Sequence, residues 1–357
     1  MSEQSDIDII KQRKADGLKI PLNKEVQAKT TSTYLEYVHL VHNALPELDF
    51  DDIDTSTTFL DHKFKAPLII DSMTGGTPEA AKINERLAQT AEELGLGMGL
   101  GSQRAGLKSK ELAETYSIAR KNAPNAFLIA NIGGAQLAKG LSVDEAKQIV
   151  DMINANALVV HLNPLQELIQ PEGESKFKGI YQKIAELVKN LNVPVIVKEV
   201  GAGISREVAS KLQVVGVKAI NVAGSGGTSW AGVEKLRAES VGDELKIHLG
   251  EMFWDWGIPT AASLLEVRKA VQLPLIASGG LRNGLEAAKC LAIGADMCAM
   301  ALPFLKQAAV SKEAVVQFAN LLLSELKSAM YLVGANDVKT LKATRHIIMS
   351  PLAEWLK

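Results

Sequence analysis

Ala157-Leu158-Val159-Val160-His161-Leu162-Asn163-Pro164-Leu165-Gln166-Glu167 is the stretch on which the fold turns. Its apolar start reads as a buried strand, and the residues after it supply an imidazole, two side-chain amides and a carboxylate. Pro164 lacks an N–H and biases Asn163 away from helical geometry, so the chain should leave its strand as a loop. Loops just past the C-terminal ends of strands are where α/β proteins place their chemistry. Taken alone, such a loop is equally a polar connection that caps the next helix.

Outward from this stretch the same pattern recurs. Short runs rich in Val, Ile, Leu and Ala lie at Pro67–Asp71, Leu94–Gly99, Ala126–Asn131 and Ala157–His161, then at Pro194–Lys198, Lys218–Val222, Pro274–Ser278 and Ala295–Met300. Amphipathic helices are expected between them, among others at Pro78–Leu94, Val143–Ile153 and Gly179–Leu191. Parallel strands alternating with helices in this number imply a closed (β/α)8 barrel of the TIM type. Residues 67–357 form this unit, ending in two further helices over 311–357. Residues 1–66 read as an N-terminal extension with little helical period, and Asp51-Asp52-Ile53-Asp54 as a turn.

Composition narrows the class. With 357 residues, 47% hydrophobic and 22% charged, the chain has ample material for one large core. A net charge of −2 gives no electrostatic case for nucleic acid or an acidic membrane. No apolar run is long enough to span a bilayer, and the polar start Met1-Ser2-Glu3-Gln4 is unlike a secretory signal, so a cytoplasmic location is expected. Cys290 and Cys298, the only cysteines, are too few for a disulfide framework or a zinc site and should pack as small apolar residues.

The residues just past nearly every strand are polar or glycine-rich: Ser72-Met73-Thr74-Gly75-Gly76, Gly101-Ser102-Gln103-Arg104, Asn131-Ile132-Gly133-Gly134, His161–Glu167, Lys198-Glu199, Gly224-Ser225-Gly226-Gly227-Thr228, and Ser278-Gly279-Gly280-Leu281-Arg282. In a barrel these loops converge on one mouth. Gly279-Gly280, with Ala301-Leu302 after the last strand, occupy the place where barrels bind phosphate through backbone N–H groups. Gly226-Gly227-Thr228 is a weaker candidate for the same anion. Lys198 should point into the mouth, either paired with Glu199 or donating to an electron-rich cofactor ring. Glu167 is either a Mg²⁺ ligand acting with substrate phosphates or a helix N-terminal carboxylate held by the dipole. Arg13-Lys14 is either a solvated surface pair on a mobile segment or a clamp over a phosphate. No nucleophile elbow and no His-Glu-x-x-His helix is present, so a covalent hydrolase or zinc enzyme has little support.

His161–Glu167, Ser72–Gly76 and Gly101–Arg104, together with His42–Glu47, Trp256–Thr260 and Ser278–Leu281, resemble the type 2 isopentenyl-diphosphate isomerases, from about Arg13 to the C-terminal helices. The resemblance implies an FMN-dependent barrel enzyme that interconverts isopentenyl and dimethylallyl diphosphates. The flavin would work in its reduced form, supplied by NADPH or NADH, and Mg²⁺ would be required. Carried over by motif, Ser72, Met73, Thr74, Ser102, Asn131, Lys198 and Thr228 would hold the flavin. Gly280, Leu281, Arg282, Ala301 and Leu302 would take its phosphate. Arg13, Lys14, Arg104, His161 and Asn163 would hold the substrate diphosphate, Gln166 would lie beside the alkene, and Glu167 would bind Mg²⁺. Assembly as a homotetramer or octamer is expected by analogy. The chain departs from the family pattern at Gly17, where a His is usual, and at Asn221 and Ala223, where an acidic residue and a Ser are usual. The rivals are a 2-hydroxy-acid dehydrogenase on the same barrel, which needs a base and an Arg late in the chain (Arg282, with His248 the nearest preceding His), and a non-catalytic flavin- or phosphate-binding module. An inosine-phosphate type of dehydrogenase would need a loop cysteine.

Overall fold

A computed structural model describes residues 3–173 and 175–357. Leu68–Ile70, Gly97–Gly99, Phe127–Gly133, Ala157–His161, Val195–Lys198, Ala219–Asn221, Leu275–Ala277 and Met297–Met300 are strands one to eight of a closed barrel. All are parallel, and strand eight returns to strand one by pairing Cys298 with Leu68. Each strand lies within its sequence-expected run except the third, which extends to Gly133. Helix Pro78–Leu94 has the expected limits: Thr77 accepts from the Ala80 N–H at 3.1 Å, Pro78 begins the helix, and Gly95 ends it in the left-handed conformation.

Two cores result. Inward-facing Ile69, Phe127, Ile129, Val159, Ile196, Ile276 and Met297 fill the barrel, while the other face of each strand packs on the helices. The barrel floor is closed by a hairpin, Thr57–Phe59 with His62–Phe64, that sequence pattern left undivided within the extension. Its Phe64 ring lies 5.4 Å from Phe127, at the start of strand three. Burial of Phe59 and Phe64 stabilises the closure by about 1.5–3 kcal/mol for each ring.

The N-terminal segment differs from expectation. Glu3–Asn23 is a helix crossing the barrel mouth, not a loose extension, and Arg13 and Lys14 lie on it. Its helical period was hidden because the face turned to the protein at Arg13, Lys14 and Gly17 lines a cavity; Leu18 supplies an apolar anchor. The C-terminal region holds the expected helices, Lys312–Leu332 and Val338–Ala343, but also a strand, His346–Ile348, antiparallel to Val38–Leu40. Asp51 and Asp52 form a 3₁₀ turn. Cys290 and Cys298 are buried thiols in a helix and in strand eight. Among the described residues, no helix is long and apolar enough to cross a membrane.

Candidate active site

Strand register assembles the mouth. Gly133 pairs with His161, His161 with Lys198, and Lys198 with Asn221, so the last residues of strands three to six stand at one level. Above them lie two adjoining cavities that open to solvent at the barrel mouth. Both are bordered by Ser72, Met73, Lys198, Val200 and Trp230.

The first cavity is lined by Thr228, Gly280, Leu281, Arg282, Ala301 and Leu302 in addition. Thr74 is buried beneath the loop, its carbonyl accepting from the Gly101 N–H at 3.1 Å. The glycines here have a packing reason as well. A Cβ on Gly280, whose φ is +79°, would fall 2.4 Å from Thr33 Cγ2, so the strand-seven loop must pass close to the N-terminal segment. Arg282 donates to Gln27 Oε1 at 2.6 Å and to the Leu281 carbonyl at 2.9 Å.

Lys198 is not paired with the Glu199 carboxylate. That carboxylate accepts the N–H groups of Val200, Gly201 and Ala202 at 2.6, 2.7 and 2.5 Å and folds the turn after strand five. Burial pushes its carboxyl up to about 7, against the opposing effect of those donors. Lys198 Nζ instead donates to the Glu199 carbonyl at 3.0 Å and lies 3.6 Å from Asp71 Oδ2. Asp71 also accepts from its own neighbour Ser72 N–H at 2.7 Å and from Asn221 Nδ2 at 3.3 Å, and Asn221 Oδ1 accepts from Ser278 Oγ at 2.6 Å. Asn221, one of the departures, thus bridges strands one, six and seven. Ala223, the other, borders the first cavity with a φ of +39°.

The second cavity gathers Arg13, Lys14, Ser102, Asn131, His161, Asn163, Gln166 and Glu167. Lys14 Nζ donates to the Ser102 carbonyl at 2.8 Å. Burial, with Arg13 and Arg104 close by, pulls its ammonium down to about 7. Arg104, on the 3₁₀ turn Gln103–Leu107, is near enough to act on both Lys14 and Glu167. His161 Nδ1 faces Asn131 Oδ1; burial and then Lys198, Lys14 and Arg13 push its imidazole down to about 3, so it is neutral. Asn163 Nδ2 reaches Gln166 Oε1 at 3.1 Å and Glu167 Oε1 at 3.2 Å. Burial raises the Glu167 carboxyl, opposed by Asn163, Arg13 and Arg104. Asn163 Oδ1 and Gln170 Nε2 are buried without a hydrogen-bond partner, which marks this wall as one that expects a polar ligand.

Sequence pattern missed a second layer. Gln166 Nε2 donates to Glu234 Oε1 at 2.8 Å, and Arg237 holds the other Glu234 oxygen at 2.7 Å. Burial raises the Glu234 carboxyl and Arg237 counters it. Both sit on the helix Trp230–Val241, where only the Glu-x-x-Arg spacing hinted at a pair. Among the described residues no three acidic, His or Cys side chains cluster as a metal cage. His248 borders neither cavity.

Residues 137–348 match the model of the FMN-dependent dehydrogenase family. The chain is 45% identical to an isopentenyl-diphosphate delta-isomerase of Methanosarcina mazei, over 98% of this chain and 95% of that protein. Identity is 46% to that of Ignicoccus hospitalis (96% and 95% covered) and 48% to that of a Nostoc species (92% and 93%). Among solved structures it is similar to mandelate oxidase with (S)-2-phenylpropionate, at 18% identity and a TM-score of 0.64 over 96% of this chain and 98% of that one. That likeness concerns the fold.

Proposed function

This chain belongs to the isopentenyl-diphosphate delta-isomerase family, and on that premise we propose that it interconverts isopentenyl and dimethylallyl diphosphates using reduced FMN, Mg²⁺ and NADPH or NADH as the electron source. The observation that carries this reading is the pairing of the cavities: one bordered by Lys198 and the Gly280–Arg282 loop, the next by Lys14, His161, Gln166 and Glu167.

The residues fit the flavin. Lys198 supplies a buried amine between the cavities, Ser72, Met73 and Thr228 line the first cavity, Thr74 is buried beneath its loop, and Ser102 and Asn131 border the adjoining second cavity. Helix Leu302–Val310 begins at the first cavity, so its N-terminal N–H groups and those of Gly280 and Leu281 suit a phosphate, whereas the Arg282 N–H donates to Glu286 Oε2 at 2.7 Å. They fit Mg²⁺ in one way only. With no carboxylate cage among the described residues, Glu167 would share the ion with diphosphate oxygens, and the unpartnered Asn163 Oδ1 offers a further hard oxygen nearby.

Moving the double bond adds a proton at the terminal alkene carbon and removes one from the carbon on the other side of the tertiary centre, through a tertiary carbocation-like state. Reduced FMN, when bound, supplies an electron-rich surface and protonatable ring nitrogens there. The protein's share is placement. Arg13, Lys14, Arg104, His161 and Asn163 hold the diphosphate, which fixes the alkene relative to Gln166. An amide is too weak an acid to protonate an alkene, so Gln166 positions or relays, with its nitrogen committed to Glu234 and its oxygen to Asn163. Trp230 and Met73 give apolar surface where the two cavities adjoin.

The test is conversion of isopentenyl diphosphate by purified protein given FMN, NADPH and Mg²⁺, with each omitted in turn. The reading requires loss of turnover on omission of the reductant or of the metal. A dehydrogenase would instead consume a 2-hydroxy acid, and Arg282, already bonded to Gln27, is poorly placed to bind its carboxylate.

A further inference from the structure

Arg237 joins three segments of the second cavity's wall. Its Nη1 donates to Glu234 Oε2 at 2.7 Å, its Nη2 to Glu172 Oε1 at 2.7 Å, and its Nε lies 3.4 Å from Asp16 Oδ2. Glu234 is on its own helix, Glu172 follows the short helix Pro164–Ile169, and Asp16 is on the N-terminal helix. The Arg237 side chain is 9% exposed and that of Glu234 2%. Burying ions costs desolvation energy, and apolar packing commonly serves stability as well or better. What a planar guanidinium does here that apolar packing would not is fix the directions of three carboxylates at once.

The two outer links reach the functional groups. Asp16 is in the turn after Arg13 and Lys14, and Gln12 Nε2 donates to its other oxygen at 2.8 Å, so the turn that presents the two cations is held through Asp16. Glu234 orients Gln166. A continuous hydrogen-bonded path therefore runs from the Arg13–Lys14 turn through Asp16, Arg237 and Glu234 to Gln166.

We propose that Arg237 is a positioning residue that couples the seating of the N-terminal helix on a diphosphate to the orientation of Gln166. The proposal rests on the isomerase reading for the identity of the substrate, but the coupling is between an anion site and an amide and is readable without turnover. Occupancy of the Arg13–Lys14 site settles Asp16 against Arg237, and the same guanidinium sets Glu234, which orients Gln166, and Glu172, which follows the helix that carries Gln166.

The variants are Asp16→Asn and Arg237→Lys, each checked for native circular dichroism and thermal midpoint. Three quantities are read: Kd for inorganic diphosphate, kcat and KM for isopentenyl diphosphate, and amide hydrogen exchange with and without inorganic diphosphate. Asp16→Asn is expected to raise Kd and KM together by roughly tenfold, with kcat changed less than about threefold. Arg237→Lys is expected to lower kcat by roughly tenfold as well. In the parent protein inorganic diphosphate slows exchange both in residues 12–18 and in 232–241, the part of the helix that carries Glu234 and Arg237; in the variants it slows only the first. Variants that lose thermal midpoint yet keep both protections, or an Asp16→Asn that leaves Kd unchanged, overturn the coupling. A parent protein with both protections but no isomerisation overturns the isomerase reading and leaves the coupling standing.

Discussion

His161 Nδ1 lies 2.7 Å from Asn131 Oδ1, and Asn131 Nδ2 in turn donates to the Leu100 carbonyl at 2.9 Å. The amide is thereby oriented with its oxygen toward the ring, the imidazole proton sits on Nδ1, and Nε2 remains an acceptor. With the ring held neutral by burial and by Lys198, Lys14 and Arg13, it is a donor to a phosphate only once protonated. An anion in the cavity offsets those cations, so binding and proton uptake are linked at this site. His161→Asn should weaken inorganic diphosphate binding by roughly tenfold and reduce the proton uptake that accompanies binding above about pH 3, both measurable by calorimetry.

Lys14 gives a second linkage of known sign. Its folded-state pKa, about 7, lies below the ordinary lysine value of 10.5, so the unliganded protein carries it largely neutral above pH 7. A diphosphate raises that pKa toward the ordinary value. Proton uptake on binding should therefore grow from pH 6 to pH 8, approaching one proton, and affinity should fall over the same range. Calorimetry in buffers of different ionisation enthalpy measures it, and Lys14→Met should abolish the rise.

Gln166→Glu places a carboxylate against Glu234, which now accepts the Gln166 amide. Two buried like charges disfavour the present side-chain orientation. Turnover should fall by roughly 10² while flavin content and the Kd of inorganic diphosphate stay within a few-fold, read by absorbance and calorimetry. An unchanged kcat would remove Gln166 from the mechanism.

Lys198→Met leaves Asp71 buried without its cation. Asp71 keeps the Ser72 and Asn221 hydrogen bonds but loses charge compensation, at a cost of about 3 kcal/mol. Chemical denaturation at pH 7 should show that loss, together with poor flavin retention. Asp71→Asn combined with Lys198→Met should recover part of the stability without the flavin.

Gly17 has a helical backbone, and a Cβ there meets nothing within 4 Å. Gly17→His is therefore sterically free and adds a donor to the wall that holds Arg13 and Lys14. Inorganic diphosphate affinity should rise by a few-fold, most at low pH, with little change in thermal midpoint.

The barrel was legible because each strand is a short apolar run closed by polar or glycine residues, and a strand such as Ala157–His161 is buried along nearly its whole length. The mouth was legible for the same reason: residues just past strand ends share a level whatever the loop lengths. The N-terminal helix was not, since its inward face is polar and serves the cavity instead of the core. Asp71 closed a recognised strand, but only the closed barrel brings it to Lys198 and Asn221. Glu234 and Arg237 stand on a helix whose buried face includes charge, and no local period distinguishes them from a solvated i,i+3 pair. Of the two roles open to Lys198 in the sequence, pairing with the adjoining Glu199 fails because Glu199 lies just past the strand and its carboxylate turns to the N–H groups of the following turn.

The central claim, that this barrel moves a proton on an isoprenoid diphosphate with a reduced flavin, is most directly tested by proton NMR in deuterated water. Purified protein is incubated with FMN, NADPH, Mg²⁺ and isopentenyl diphosphate. The expected result is dimethylallyl diphosphate carrying deuterium, with turnover lost when NADPH or Mg²⁺ is left out. A flavin-loaded, folded protein that yields no dimethylallyl diphosphate and exchanges no deuterium into isopentenyl diphosphate would contradict it.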